Sequence, residues 1–203
     1  MPAMKFPTFD SEVSQSLTAV GDYFRYATIG LALRTVLQEN VAGHLAELGV
    51  YRGDMSAFIH RVAPDRALYL FDTFKGFPAQ DLEHGVSSDD RFSGTSVEAV
   101  LKRIGGSSNV VIKEGYIPDT LHGLENERFA FVLLDLDLYK PTAACLRFFY
   151  PRLTRGGYLL VHDYNSPESG WACKRALDEY MSDKPEKIIE LADEWGTALF
   201  RKS

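Results

Sequence analysis

The sequence predicts an α/β layer fold: one doubly wound, mostly parallel sheet closed at one edge by an antiparallel hairpin. Three observations predict it. Apolar residues alternate along the chain between a helical and a strand period. Five short apolar runs, separated by helical stretches, give buried parallel strands. The last two strand-like runs, 187–191 and 197–201, are joined only by Ala192-Asp193-Glu194-Trp195-Gly196, which leaves no room for a crossover helix and makes them a hairpin. Five strands and the hairpin's two give seven in all.

In chain order, residues 11–39 read as one helix, because Val13, Leu17, Val20, Phe24, Leu31 and Val36 fall near helical spacing and Asn40 offers a stop. This extension (about 11–40) precedes the core of a single domain spanning 1–203. The strand runs 44–50, 67–71, 110–113, 129–134 and 158–161 are each bounded by Gly, Pro, Asp or Asn. Helical stretches lie at 55–61, 96–104, 118–124, 142–150 and 173–181. The polar segment 79–96 reads as a long loop at the carboxyl ends of the strands and is expected to form a lid over a substrate. Tyr23, Arg25 and Tyr26 would form the opposite wall, and Trp171 and Trp195 are expected in the core.

Composition narrows the function. With 22 Lys plus Arg against 28 Asp plus Glu, the net charge of −6 gives no surplus with which to displace counterions from nucleic acid. The longest apolar run, 129–134, is far short of the roughly 20 residues that span a bilayer, so no membrane partner is expected. The opening MPAMKFPTFD lacks the apolar stretch of a secretory signal. Cys145 and Cys173 are expected to be reduced core residues of a cytoplasmic protein.

The first strand exits through Glu47-Leu48-Gly49-Val50-Tyr51-Arg52-Gly53, an E-x-G-x-x-x-G turn that runs directly into a helix. Glycines there allow a ligand close to the backbone and expose the helix N-terminus. The nicotinamide pattern G-x-G-x-x-G is absent, which disfavours a dehydrogenase of similar fold. Asp72, with Thr73 beside it, ends the second strand where a carboxylate accepts hydrogen bonds from the ribose hydroxyls of an adenosine; capping the turn that follows is the alternative. Glu114, Gly115 and Tyr116 follow the third strand and are candidates for the adenine.

Through AELGVYRG, LFDTFKGFP, EGYIPDTL, LLDLDLYKPT and GGYLLVHDY, over about residues 45–180, the chain resembles the class I S-adenosylmethionine-dependent methyltransferases, and more closely the macrocin O-methyltransferase family. That resemblance implies a seven-stranded sheet with a terminal antiparallel hairpin, S-adenosylmethionine at the first two motifs, a divalent metal that is usually magnesium, and a small-molecule acceptor such as a sugar hydroxyl of a natural product.

Methyl transfer is an in-line displacement that needs an aligned and deprotonated nucleophile. A hydroxyl bound to a divalent cation loses its proton more readily. Asp135 ends the fourth strand and His162-Asp163 ends the fifth, so Asp135, His162 and Asp163 are the candidate metal ligands, and Asp135 with His162 the candidate catalytic residues. Asp137 reads as a cap for the next helix. The family commonly carries two adjacent Asp residues where this chain has His162-Asp163; imidazole suits the later transition metals, so magnesium, another metal, no metal, and a general-base role for His162 all stay open. His44, His60, His84 and His122 carry no catalytic expectation. A non-catalytic module that binds an adenosyl ligand remains the rival from another class, and the oligomeric state is open, a homo-oligomer included.

Overall fold

The computed structural model describes residues 11–18, 20–82, 89 and 91–203. Strands β1 (His44–Leu48), β2 (Leu68–Asp72), β3 (Val110–Glu114), β4 (Phe129–Leu134) and β5 (Leu153–Val161) pair in parallel. β6 (Ile189–Glu190) and β7 (Ala198–Arg201) form the terminal hairpin, with β7 antiparallel to both β5 and β6. The seven-stranded order is β3-β2-β1-β4-β5-β7-β6. This is the mixed, mostly parallel sheet that the apolar runs predict.

The helices α1 (Ser11–Thr18), α2 (Tyr23–Gln38), α3 (Asp54–Val62), α4 (Val97–Ile104), α5 (Tyr139–Phe149) and α6 (Ala172–Met181) cover the sheet. All six residues of β4 are buried, because the strand is covered on both faces. Val132 and Leu134 join a cluster with Leu146 and Phe149 of α5 and Leu177 of α6. Phe131 and Leu133 join another with Ile29 and Leu33 of α2 and Phe58 and Ile59 of α3. Among the described residues no helix is long and apolar enough to cross a membrane. Cys145 and Cys173 are buried and free.

Four expectations need correction. The segment 11–39 is two helices, because the Asp22 carboxylate accepts from Arg25 N at 3.2 Å and starts α2 anew. The stretch 118–124 holds only a 3-10 turn over Asp119–Leu121, penned between Pro118 and Gly123, so β3 connects to β4 without an α-helix. β5 begins at Leu153, earlier than its apolar run suggests. A Cβ at Gly157 would lie 2.7 Å from Ala130 O, so this glycine marks a close backbone approach within the strand rather than its boundary. Trp171 is not core: it takes a left-handed conformation ahead of α6 and is 53% exposed.

β1 lies at the centre, with β2 on one side and β4 on the other, so the strand order reverses there. A crevice opens outside the carboxyl ends of strands at such a reversal, and the site candidates at the exits of β1, β2, β4 and β5 all lie on this side.

Candidate active site

The crevice is a cleft of about 500 Å³ lined, among others, by Glu47, Gly49, Asp72, Thr73, Gly115, Tyr116, Asp135, His162 and Asp163. Gly53 and Glu114 lie outside its lining. Gly53 starts α3 with φ +77°, and a Cβ there would press on the Val100 side chain at 3.0 Å. Glu114 is exposed on a separate shallow depression with Lys113, Asp119 and His122.

Gly49 has φ +89°, and a Cβ built on it would sit 1.8 Å from Asp135 O. The exits of β1 and β4 are thus in backbone contact, and the chain itself needs glycine at this position before any ligand does. Asp72 reaches across to the same turn. Its Oδ2 accepts from Val50 N at 2.7 Å and Tyr51 N at 2.9 Å, and its Oδ1 from Phe74 N at 2.7 Å. Of the roughly four lone-pair sites on a carboxylate, one on Oδ1 is left for a ligand. Glu47 is fully buried and accepts from the Ser56 hydroxyl. Burial pushes its carboxyl up to about 8, although the Ser56 hydrogen bond works the other way, so it is largely protonated at neutral pH.

At the other end of the cleft, His162 Nδ1 lies 3.0 Å from Asp135 Oδ1 and 3.1 Å from Asp163 Oδ2. Arg25 donates to Asp135 Oδ2 at 3.2 Å. Burial favours the neutral form of Asp135, but His162 and Arg25 outweigh it and hold the carboxyl near 2. Burial likewise opposes a charge on His162, yet Asp135 and the hydrogen bonds to both carboxylates carry it up to about 10. Without a metal it is therefore an imidazolium that donates from Nδ1. Its Nε2 is buried, with no partner among the described residues. Asp137 makes no cap: α5 begins after Leu138 without a side-chain cap bond, and Asp137 has φ +58°. Burial, with Asp163 and Asp135 adding repulsion, pushes its carboxyl to about 8.

A divalent cation fits this donor set. The ring nitrogen of His162 and a carboxylate oxygen each of Asp135 and Asp163 lie within 4.8 Å of one another, close enough to be gathered round one ion. Two oxygens and one imidazole suit magnesium less selectively than an all-oxygen set. Carboxylate oxygens of Asp22 and Asp193 also lie within 4.8 Å of a ring nitrogen of His162, a juxtaposition that no local motif announces.

Tyr26 and Arg25 line the cleft as the opposite wall, and Trp195 lines it rather than filling the core. Of the described residues in the 79–96 segment, Asp81, Arg91 and Phe92 line the cleft. The Phe92 ring packs edge-on against Tyr51 at 5.2 Å and Phe77 at 5.3 Å, and Thr95 Oγ1 donates to Tyr51 O at 2.7 Å. Residues 83–88 and 90, His84 among them, lie outside the described residues. His44 pairs with Glu127 at 2.9 Å, His60 contacts Ser108 O at 2.9 Å, and His122 is exposed; none lines the cleft. The Arg25–Asp135 and Ser56–Glu47 pairs join positions 110 and 9 residues apart, and only the folded chain reveals them.

The seven-stranded mixed sheet with its antiparallel end, and a cleft at the exits of its central strands, define the methyltransferase class of α/β proteins. The family model for macrocin-O-methyltransferase (TylF) matches residues 10–202, and the chain belongs to that family of S-adenosylmethionine-dependent O-methyltransferases. It is 31% identical over 172 residues to the 8-demethyl-8-(2,3-dimethoxy-alpha-L-rhamnosyl)-tetracenomycin-C 4'-O-methyltransferase of Streptomyces olivaceus, covering 77% of this chain and 64% of that protein. It is 29% identical over 179 residues to the mycinamicin III 3''-O-methyltransferase of Micromonospora griseorubida, covering 78% and 69%. The chain thus spans about two thirds of the length of these relatives. The solved structure of the O-methyltransferase NovP superposes with a TM-score of 0.74 at 27% identity, covering 89% of this chain and 80% of that one.

Proposed function

We propose that this protein transfers the methyl group of S-adenosylmethionine to a hydroxyl on a sugar moiety of a small natural product, with a divalent cation held by Asp135, His162 and Asp163. The observation that carries the reading is the cleft itself. Glu47, Gly49, Asp72 and Thr73 line it at the exits of β1 and β2, where the adenosyl ligand would lie, and Asp135, His162 and Asp163 bring two carboxylates and an imidazole within 4.8 Å of one another at the exits of β4 and β5. The names of the tetracenomycin and mycinamicin relatives place their methyl groups on positions 4' and 3'', and the tetracenomycin name specifies a rhamnosyl group, which supports a sugar hydroxyl here.

In the transfer, the acceptor oxygen attacks the methyl carbon from the side opposite sulfur. The carbon–sulfur bond breaks, its electron pair returns to sulfur, S-adenosylhomocysteine leaves, and the proton shed by the hydroxyl passes to water in the open cleft. Asp72, Thr73, Gly115 and Tyr116 would hold the adenosyl part, and the turn after Gly49 the methionine part. Asp135, His162 and Asp163 would fix the acceptor hydroxyl in line with sulfur. When bound there, a divalent cation supplies the positive charge that lowers the hydroxyl's pKa. Arg25, on Asp135 Oδ2, leaves Oδ1 turned toward His162 and so orients the carboxylate. The reading of His162 as a general base is the weaker one: with Nδ1 turned to the two carboxylates and the cation they would hold, its other nitrogen, Nε2, is buried away from the acceptor hydroxyl.

The test is S-adenosylhomocysteine release from S-adenosylmethionine and a panel of neutral glycosides, before and after chelation and in Asp135→Asn. Both treatments should abolish release while S-adenosylmethionine binding, measured by calorimetry, stays within about threefold, because β1 and β2 hold the cofactor. Full turnover by rigorously metal-free protein would refute the cation's role, and absence of S-adenosylmethionine binding would refute the whole reading.

A further inference from the structure

Trp195 is half-buried and lines the cleft, but its indole is not part of the core. Among the described residues it joins none of the apolar clusters, meets no other aromatic ring and makes no side-chain hydrogen bond. The other aromatic side chains of the cleft are engaged. Tyr26 packs against Phe58 with ring centroids 5.2 Å apart, and Phe92 packs against both Tyr51 and Phe77. Phe71 is fully buried, and the Tyr116 hydroxyl donates to Asp81 Oδ1 at 2.9 Å. A lone apolar side chain on an open surface needs no explanation, but a large unengaged one in a pocket is available to a ligand. The other tryptophan, Trp171, is 53% exposed and lies outside the lining of the cleft.

The turn that carries Trp195 is braced. Asp193 closes it, with Oδ1 accepting from Thr197 N at 2.7 Å and Oδ2 from Thr197 Oγ1 at 2.5 Å. The same turn is tied to the chain that follows Asp163: Tyr164 N donates to Gly196 O at 2.7 Å and Asn165 N to Trp195 O at 3.2 Å. Gly196 has φ +72°, and a Cβ on it would lie 2.7 Å from the Asn165 Cβ, so glycine permits this approach. Trp195 is thereby set beside the exit of β5, at the end of the cleft that holds Asp135, His162 and Asp163. Glu168 and Glu194 line the cleft too; both are exposed, and neither makes a side-chain hydrogen bond among the described residues.

We infer that Trp195 is the platform on which the acceptor's sugar ring lays its C–H face, and so a residue that sets affinity for the acceptor. This rests on the methyl-transfer reading above and deepens it by giving the acceptor ring a place in the cleft. A pyranose carries its hydroxyls around the rim and presents C–H bonds on its faces. An indole face covers such a face by dispersion and removes apolar area of both from water. The rim hydroxyls donate to carboxylates, which Glu168 and Glu194 offer, while the hydroxyl to be methylated turns to Asp135, His162 and Asp163.

The chain has two tryptophans, so Trp171→Phe leaves Trp195 as the only indole emitter. The probes are methyl α-L-rhamnopyranoside, methyl β-D-glucopyranoside and methyl β-D-xylopyranoside, none of which absorbs in the tryptophan band. With S-adenosylhomocysteine and magnesium present, the glycoside that wild type methylates fastest should shift the emission of Trp195 saturably to shorter wavelength, as the ring displaces water from the indole. In steady-state kinetics with that glycoside, Trp195→Ala should raise its KM by about tenfold or more. Stacking is the same before and during transfer, so kcat and the KM for S-adenosylmethionine should stay within about threefold. Trp195→Phe keeps a flat apolar face and should recover most of the affinity, and Trp171→Phe should behave as wild type. A merely structural role would instead lower kcat and weaken both substrates together. The inference is overturned if saturating glycoside leaves the Trp195 emission unmoved, or if Trp195→Ala keeps the wild-type KM. The emission titration stands as a test even if Trp195→Ala fails to fold. If S-adenosylhomocysteine does not bind, or no glycoside is methylated, the methyl-transfer reading falls and this inference with it; if a glycoside is methylated without a response at Trp195, only this inference falls.

Discussion

Replacing Asp72 with Asn separates two roles of one carboxylate. The native side chain accepts three backbone N–H bonds, at 2.7 and 2.9 Å on Oδ2 and 2.7 Å on Oδ1, and so ties the turn after β1 to the end of β2. Asn retains one acceptor oxygen. Whichever way the amide turns, at least one N–H faces the new NH₂, and the bonds that remain lose the carboxylate's charge. Hydrogen bonds to charged groups are worth about 1.5–3 kcal/mol each, so a loss of about 2–4 kcal/mol is expected. For a chain of this size that corresponds to a fall in Tm of about 5–15 °C. Losing the free Oδ1 site and disturbing the turn should also weaken S-adenosylmethionine by about 10- to 100-fold. Thermal unfolding followed by circular dichroism and calorimetric titration well below the transition read the two effects separately. A lower Tm with unchanged affinity would leave Asp72 as a turn-holder and remove it from the ribose. An unchanged Tm would refute the hydrogen-bond argument itself.

Gly49→Ala should fail to yield stable protein, because its Cβ would lie 1.8 Å from Asp135 O in a left-handed backbone; a well-folded variant with a wild-type Tm would contradict that packing. Glu186 is buried and accepts from the Tyr150 hydroxyl, Lys202 Nζ, and Ser203 N and Oγ, so although burial would raise its pKa, these donors hold it near 2. A depressed pKa contributes stability above the unfolded value and loses it as pH falls through the folded one. Glu186→Gln should therefore cost about 2–3 kcal/mol at pH 7 and almost nothing near pH 2, measured by denaturant unfolding across pH; a pH-independent difference would exclude this linkage. His162→Asp puts a third carboxylate beside Asp135 and Asp163 in place of an imidazolium. The metal-free variant should be less stable than wild type and should gain more Tm from added magnesium, and an equal gain in both would argue against magnesium at these side chains.

Fold and site were legible to different depths. Strands covered on both faces read as unbroken apolar runs, so 129–134 coincides with β4, and the short connection before Thr197 gave away the antiparallel end. Where the local pattern was ambiguous, the fold decided. Gly21 and Asp22 interrupt a helical period without erasing it, and Gly156 and Gly157 conceal the first half of β5. Asp135, His162 and Asp163 could be grouped from sequence because parallel neighbours align their carboxyl ends. Asp137 could not be read correctly, since a strand-end carboxylate before a helix looks like a cap whether or not it caps. Arg25 and Ser56 escaped as partners because their significance lies in what the fold sets against them: a carboxylate 110 residues away and a buried acid.

The central claim is that one cleft holds the methyl donor at the exits of β1 and β2 and a divalent cation at the exits of β4 and β5. Crystals grown with S-adenosylhomocysteine and manganese, with data collected on both sides of the manganese absorption edge, test it most directly. The account predicts a single strong anomalous peak about 2.0–2.3 Å from Asp135 Oδ1, His162 Nδ1 and Asp163 Oδ2, with the ribose at Asp72 and the sulfur turned toward the metal. Ordered S-adenosylhomocysteine in the cleft with no anomalous density at those three side chains, from protein that is equally active after chelation, would contradict it.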